Sequence, residues 1–197
     1  MELPRLTPNY IRKRLLDWEK TDALGTAEKT VGLVFQTWPG NTEYSEVLAK
    51  VIVLNRIYST NIYDPYTVTQ HILSARIDER LKAGDITLVL DLANVRFRTR
   101  SMILLSFASK YCGWHEPDHF QIFDSYVEWL LWLYVKQFKF ASVRRYSLRE
   151  YATFVATVDQ CRSHFALEGF TRKEIDKFLW FEATELWRSQ SKAKVPE

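Results

Sequence analysis

Apolar residues recur along most of this chain at intervals of three and four, the spacing of one helix face, with start and stop signals between them. Thr7-Pro8 sets a cap and a proline at the first helical position, which predicts a helix to about Thr21. A second helix is predicted over Ala27 to Thr37, stopped by Trp38-Pro39-Gly40. Thr42 is the expected cap of a third, with Val47, Leu48, Val51, Leu54 and Tyr58 on its apolar side. Asp64-Pro65 repeats the cap-and-proline signature, for a helix carrying Val68, His71, Ile72 and Ile77 and stopped at Gly84. Asp85 then caps a short helix through Leu92. Asn94 to Thr99 alternates, as a turn or short hairpin would, and Ser101 to Cys112 reads as a strongly apolar helix.

Pro117 and the lack of a helical period make Gly113 to Phe123 a loop, after which Asp124 caps a helix to about Lys136. Ser147-Leu-Arg-Glu150 and Thr171-Arg-Lys-Glu174 are capping boxes that open two more helices, separated by Gly169. Ile86 to Leu90 is rich in strand formers but too isolated to found a sheet. The expected fold is all-α: some eight helices on one core, a single domain over 1–190 with at most a small β-ribbon, and a polar tail over 191–197.

Composition supports a packed core, with 47% hydrophobic and 15% aromatic residues in 197. The net charge of +3 is compatible with an anionic or nucleic-acid partner without demonstrating one. Cys112 and Cys161 are expected as free thiols in a reducing compartment, because the first twenty residues are charged and lack a signal-peptide core. No uncharged apolar run approaches the roughly 18 residues of a membrane span. A cytoplasmic location without membrane partners is expected, and the oligomeric state stays open.

Candidate chemistry centres on two residues. In SMILLSFASKYCG, Lys110 is the one fully charged residue, and Ser106, Ser109 and Lys110 make a narrow polar strip. Such a lysine either snorkels to the surface or is held in a cleft. In a cleft, burial disfavours the ammonium, and the neutral amine is a nucleophile. Asp124 lies 14 positions later, across a loop able to return beside the first helix. It is either a cap alone or a carboxylate that also steadies a developing cation.

The run SKYCGWHEPDHFQIFDSYV resembles the catalytic segment of the helix-hairpin-helix DNA glycosylases, in particular the 8-oxoguanine DNA glycosylase-like branch. In that family a lysine follows the hairpin, and an apolar-Pro-apolar-Asp stretch leads into the next helix. Lys110 and Asp124 fit those places, with Gln121 where proline is usual. The resemblance implies an all-α fold, a lysine that attacks the sugar C1′ as the base departs, an aspartate that supports the cationic sugar, and no cofactor. The family's Gly-apolar-Gly hairpin is missing, since ANVRFRTRSM has no glycine. Arg96, Arg98 and Arg100 either contact phosphate in its place or form an ordinary exposed basic turn. A free nucleotide, nucleoside or modified base therefore stands beside duplex DNA as substrate. Compact homologues of this kind also imply a place in antiviral defence.

Trp114, Phe178 and Trp180 are candidates for the sandwich around a flipped base, or ordinary core. Cys112 lines the pocket or is a small buried thiol. His115 and His119, near Glu116 and Asp118, lack the spacing of a metal site, so no metal is expected; either ring could bond Asp124 or a leaving base. Asn55 and Tyr58 to Asn61 are helix-end turn residues or a wall of the same pocket. Three functions compete: a lysine/aspartate glycosylase acting on a modified base or nucleotide, a non-catalytic nucleotide- or modified-base-binding module, and a helical interaction protein.

Overall fold

The computed structural model describes residues 2–192, and 68% of the described residues are helical. In chain order the described elements are α1 (Pro8–Glu19), α2 (Asp22–Thr37), α3 (Tyr44–Tyr58), α4 (Pro65–Ala75), α5 (Asp78–Lys82) and α6 (Leu88–Ala93). Strands β1 (Asn94–Arg96) and β2 (Ser101–Ile103) follow, then α7 (Leu105–His115), α8 (Ser125–Phe138), a 3-10 turn (Arg145–Arg149), α9 (Tyr151–His164) and α10 (Arg172–Lys192). The all-α fold with a small β-ribbon is what the periodicity predicts. Residues 193–197 of the expected polar tail lie outside the described residues.

The start signals act where the local chemistry lets them. Thr7 caps α1 by accepting from the Tyr10 N–H, and Asp64 caps α4 through the Tyr66 and Thr67 N–H groups. Thr171 and Glu174 close the reciprocal box, the Thr171 N–H on Glu174 Oε2 at 2.8 Å and the Glu174 N–H on Thr171 Oγ1 at 3.2 Å. Other boundaries differ. Thr42 caps nothing, since α3 starts at Tyr44 behind Glu43. The helix after Asp64 stops at Ala75, where Arg76 turns left-handed, and α5 fills the stretch before Gly84. Ser101 to Ile103 is a strand, paired antiparallel with β1 in the register Asn94 to Ile103 and Arg96 to Ser101. Ser147 sits inside the 3-10 turn, so its box does not open α9.

The chain divides into two compact units. One takes the two ends, through Thr21 and from Phe123 onward, with α10 packed on α8 and α1. Ile11, Val127, Leu130, Phe154 and Phe178 are buried there. The other is Asp22–Ile122, in which α3 packs on α4 and α7, and α6 on α7. Its buried set includes Val51, Leu54, Val68, Leu88, Phe107 and Tyr111. Each unit has its own apolar interior. Among the described residues no helix is long and apolar enough to cross a membrane.

Candidate functional site

Helix α7 carries the polar strip that singles out Lys110. Ser106, Lys110 and Trp114 stand four apart and so share one face. Lys110 is 2% exposed, and its amine donates to Ser106 Oγ at 2.8 Å. The Nζ also lies 5.6 Å from the centre of the Tyr58 ring, a cation–π distance. Tyr58 is the last residue of α3, and its hydroxyl accepts from Trp114 Nε1–H at 3.2 Å. Asn55 fastens the chain just beyond. Its Nδ2 donates to the Ile62 carbonyl at 2.9 Å, and its Oδ1 accepts from the Ile62 N–H and the Thr60 hydroxyl at 3.0 and 3.1 Å. Ser59 and Asn61, both at positive φ, give that loop its sharp turn. The amine is thus buried beside Ser106 and the Tyr58 ring, placed there by helix spacing and by the packing of α3 on α7.

A second polar cluster lies in the same unit, around Lys50. Its ammonium is fully buried and donates to the Trp38 carbonyl at 3.1 Å, the Gly40 carbonyl at 2.6 Å and Asn41 Oδ1 at 2.7 Å. Tyr111 donates to the same Asn41 oxygen at 2.5 Å, and Asn41 Nδ2 donates to Asp78 Oδ1 at 2.6 Å. Burial pushes the Lys50 pKa down to about 8, against the pull of Asp78 and Glu46. His115 Nε2 is 3.5 Å from the Lys50 amine, and its ring packs on Phe35 at 4.8 Å and Tyr111 at 5.1 Å. Burial and the neighbouring ammonium hold His115 at about 3, so its ring is neutral at ordinary pH. All three ammonium protons have oxygen acceptors, so the cluster serves to pin the α2–α3 loop to α7.

The remaining candidates divide between the units. Cys112 is fully buried on α7, and burial raises its thiol pKa far above the usual range, so it is no nucleophile. His119 is exposed and lies against Gly84. A Cβ at Gly84 would stand 2.8 Å from His119 Nδ1, and φ there is +65°, so the turn needs glycine on both counts. Gly113 allows another close approach: a Cβ would meet Ile122 Cγ1 at 2.9 Å and the Phe120 carbonyl at 3.2 Å. That contact brings the loop back along α7. No group of His, Cys, Asp and Glu among the described residues is arranged to hold a metal.

Asp124 belongs to the other unit, where it caps α8 by accepting from the Tyr126 N–H at 2.9 Å. Phe178 and Trp180 also stand there, their rings edge-on to Tyr10 at 6.1 Å and to Trp18 at 5.6 Å. Arg96, Arg98 and Arg100 are exposed on the β1–β2 ribbon between α6 and α7, closed by the Phe97 N–H on the Arg100 carbonyl at 2.9 Å.

Sequence reasoning missed Lys50, Asn41, Asp78 and Tyr111. A signal for Lys50 was present: it lies three after Val47 and four before Leu54, on the apolar side of α3. A lysine at a core position requires a built set of acceptors.

A protein of Haemophilus influenzae (strain ATCC 51907 / DSM 11121 / KW20 / Rd), called an uncharacterized protein, is 36% identical to this chain over 148 residues, covering 75% of this chain and 71% of that protein. No solved structure matches. Residues 10–119, more than half of the chain, match the family HI_0787_N, described as an N-terminal domain. The matched span takes in Lys50 and Lys110 and ends before Asp124. With this extent of match, the chain belongs to the HI_0787_N family.

Proposed function

We propose that this protein is a base-excising enzyme of the 8-oxoguanine DNA glycosylase-like kind, cleaving the N-glycosidic bond of a modified base in a nucleic acid or nucleotide through Lys110. One observation carries the reading: a lysine amine removed from solvent, fixed by Ser106 Oγ at 2.8 Å and lying over the Tyr58 ring. An ammonium is rarely buried on an apolar helix for packing alone.

The chemistry starts when the ammonium gives up a proton, since only the neutral amine attacks. Its nitrogen bonds to C1′ of the sugar while the C1′–N bond to the base breaks. The electron pair leaves with the base, which takes the proton shed by the alkylated nitrogen. Opening of the sugar ring then places on O4′ the proton that the ammonium first gave up to water, and leaves an iminium between Lys110 and C1′. Ser106 orients the amine, and the aromatic rings keep water away.

Borohydride trapping tests this. Incubation with oligonucleotides and nucleosides carrying 8-oxoguanine or other modified bases, in the presence of borohydride, should give a covalent adduct that Lys110→Ala abolishes with the fold intact. An adduct of unchanged yield in Lys110→Ala refutes the assignment. Binding of a modified nucleotide with no adduct and no released base would instead identify a non-catalytic binding module.

A further inference from the structure

The stretch from Lys136 to Arg149 contains five cations, Lys136, Lys139, Arg144, Arg145 and Arg149, and no acid, while the rest of the chain holds more acidic than basic residues. All five are exposed. The chain leaves α8 at Lys139, in the left-handed conformation, runs without helix to Arg144, and then forms the 3-10 turn that presents the three arginines. Tyr146, the second residue of that turn, is 63% exposed. The Arg144 guanidinium donates to its hydroxyl at 2.9 Å and lies 6.0 Å from its ring centre.

Beneath this surface lies Glu128 on α8, 3% exposed. Arg145 Nε is 3.5 Å from Glu128 Oε1, and Arg149 Nε is 3.8 Å from Oε2. Oε1 takes no hydrogen bond. The carboxylate therefore meets two guanidiniums at their Nε atoms while their side chains stay 54% and 74% exposed, and a third lies beside a tyrosine ring. Three planar forks and an open ring suit phosphates with bases between them: guanidinium binds phosphate in two-point fashion, and an exposed ring stacks any base. A bilayer surface calls for exposed apolar side chains that insert, and the exposed residues of 136–149 are cations, Ser142 and Tyr146.

We propose that Arg144, Arg145, Arg149 and Tyr146 form a contact surface for a single-stranded polynucleotide, the arginines on consecutive phosphates and Tyr146 under a base. For its biological role the inference rests on the base-excising reading, and it narrows the substrate class from free nucleotide to polynucleotide.

The test is fluorescence anisotropy with a labelled single-stranded oligonucleotide over a series of salt concentrations. Two variants are compared with wild type. Arg144→Gln/Tyr146→Ala leaves the two arginines over Glu128 in place. Arg144→Gln/Arg145→Gln/Arg149→Gln is made together with Glu128→Gln, so that no buried charge is stranded. Circular dichroism melting checks the fold of each. Loss of three phosphate contacts should flatten the slope of log K against log salt by about 2, and loss of Arg144 alone by about 0.7. The first variant should also lose the stacking contribution at every salt concentration.

Unchanged affinity and slope in a folded variant overturn the proposal. If the fourfold variant fails to fold, the double variant decides alone. Wild type that ignores the oligonucleotide but binds phosphatidylserine vesicles through the same arginines overturns it in favour of a membrane surface. Failure of wild type to form the borohydride adduct while it binds the oligonucleotide with the expected salt slope overturns the base-excising reading and leaves the surface standing.

Discussion

His115 offers a measurement of the Lys50 cluster that depends on no substrate. Its imidazole would be protonated below about 6.5 in an unfolded chain, but burial and then the Lys50 ammonium at 3.5 Å hold it at about 3 in the folded one, with Asp78 opposing. Between those values the unfolded state binds the extra proton, so stability must fall as pH falls through the window. The gap corresponds to about 5 kcal/mol in full, and to about 2 kcal/mol between pH 7 and pH 5. His115→Gln keeps a side-chain polar group directed at Lys50 and removes the titration. Urea unfolding of both proteins at intervals from pH 7 to pH 5 is the assay. The wild type should lose about 2 kcal/mol more than the variant across that range, with a limiting slope near 1.4 kcal/mol per pH unit. His71, His119 and His164 remain in both proteins, so the difference isolates His115. Parallel curves would show that the ring is protonated beside Lys50 and that the reasoning from burial is wrong.

Four further outcomes are expected. Lys50→Met, which strands the Trp38 and Gly40 carbonyls and leaves Asn41 Oδ1 with Tyr111 as donor, should destabilise by about 3 kcal/mol or more in a thermal melt, because each buried acceptor left unmade costs about 1–3 kcal/mol. Gly84→Ala should cost about 1–2 kcal/mol for the left-handed backbone plus the clash with His119, and adding His119→Ala should recover only the clash, read by urea unfolding. Asp124→Asn should leave the melting temperature nearly unchanged, because asparagine caps as well as aspartate. Charge reversal at Arg96, Arg98 and Arg100 should remove most nucleic-acid affinity at low salt in an anisotropy titration. Unaltered binding would leave the ribbon as an ordinary exposed turn.

What could be read from the sequence follows how local each signal is. Thr7-Pro8, Asp64-Pro65 and Asp124 cap their helices because a short side chain reaches N–H groups two or three residues on, whatever the rest of the chain does. Ser147 and Glu150 have the same pattern as Thr171 and Glu174, yet only the second pair closes. Leu148 is fully buried, and the turn that buries it occupies the residues the first box would have used. Ser101 to Ile103 reads as helix because a short apolar run carries no period of its own; pairing with β1 makes it a strand. Lys110 stands out as a lone charge on an apolar helix. Its partner Tyr58 and the clamp at Asn55 depend on how α3 meets α7, which no spacing within either helix encodes. Lys50 stays hidden for the same reason: its acceptors are two carbonyls and an amide from a loop, and a carbonyl leaves no mark in a sequence.

The loop from Trp38 to Asn41 can also be regarded as a receptor for a small monovalent cation, with the Lys50 ammonium as a guest on a tether. Three oxygens at 2.6–3.1 Å are the kind of coordination a free ammonium ion seeks, and here the guest arrives with the chain at no translational cost. Changes in the salt of the medium therefore leave the loop's occupancy untouched, and the loop stays shaped wherever α3 is folded. Shortening the tether to alanine would untie guest from host, turning a fixed piece of architecture into a site whose filling depends on the concentration of amine supplied from outside.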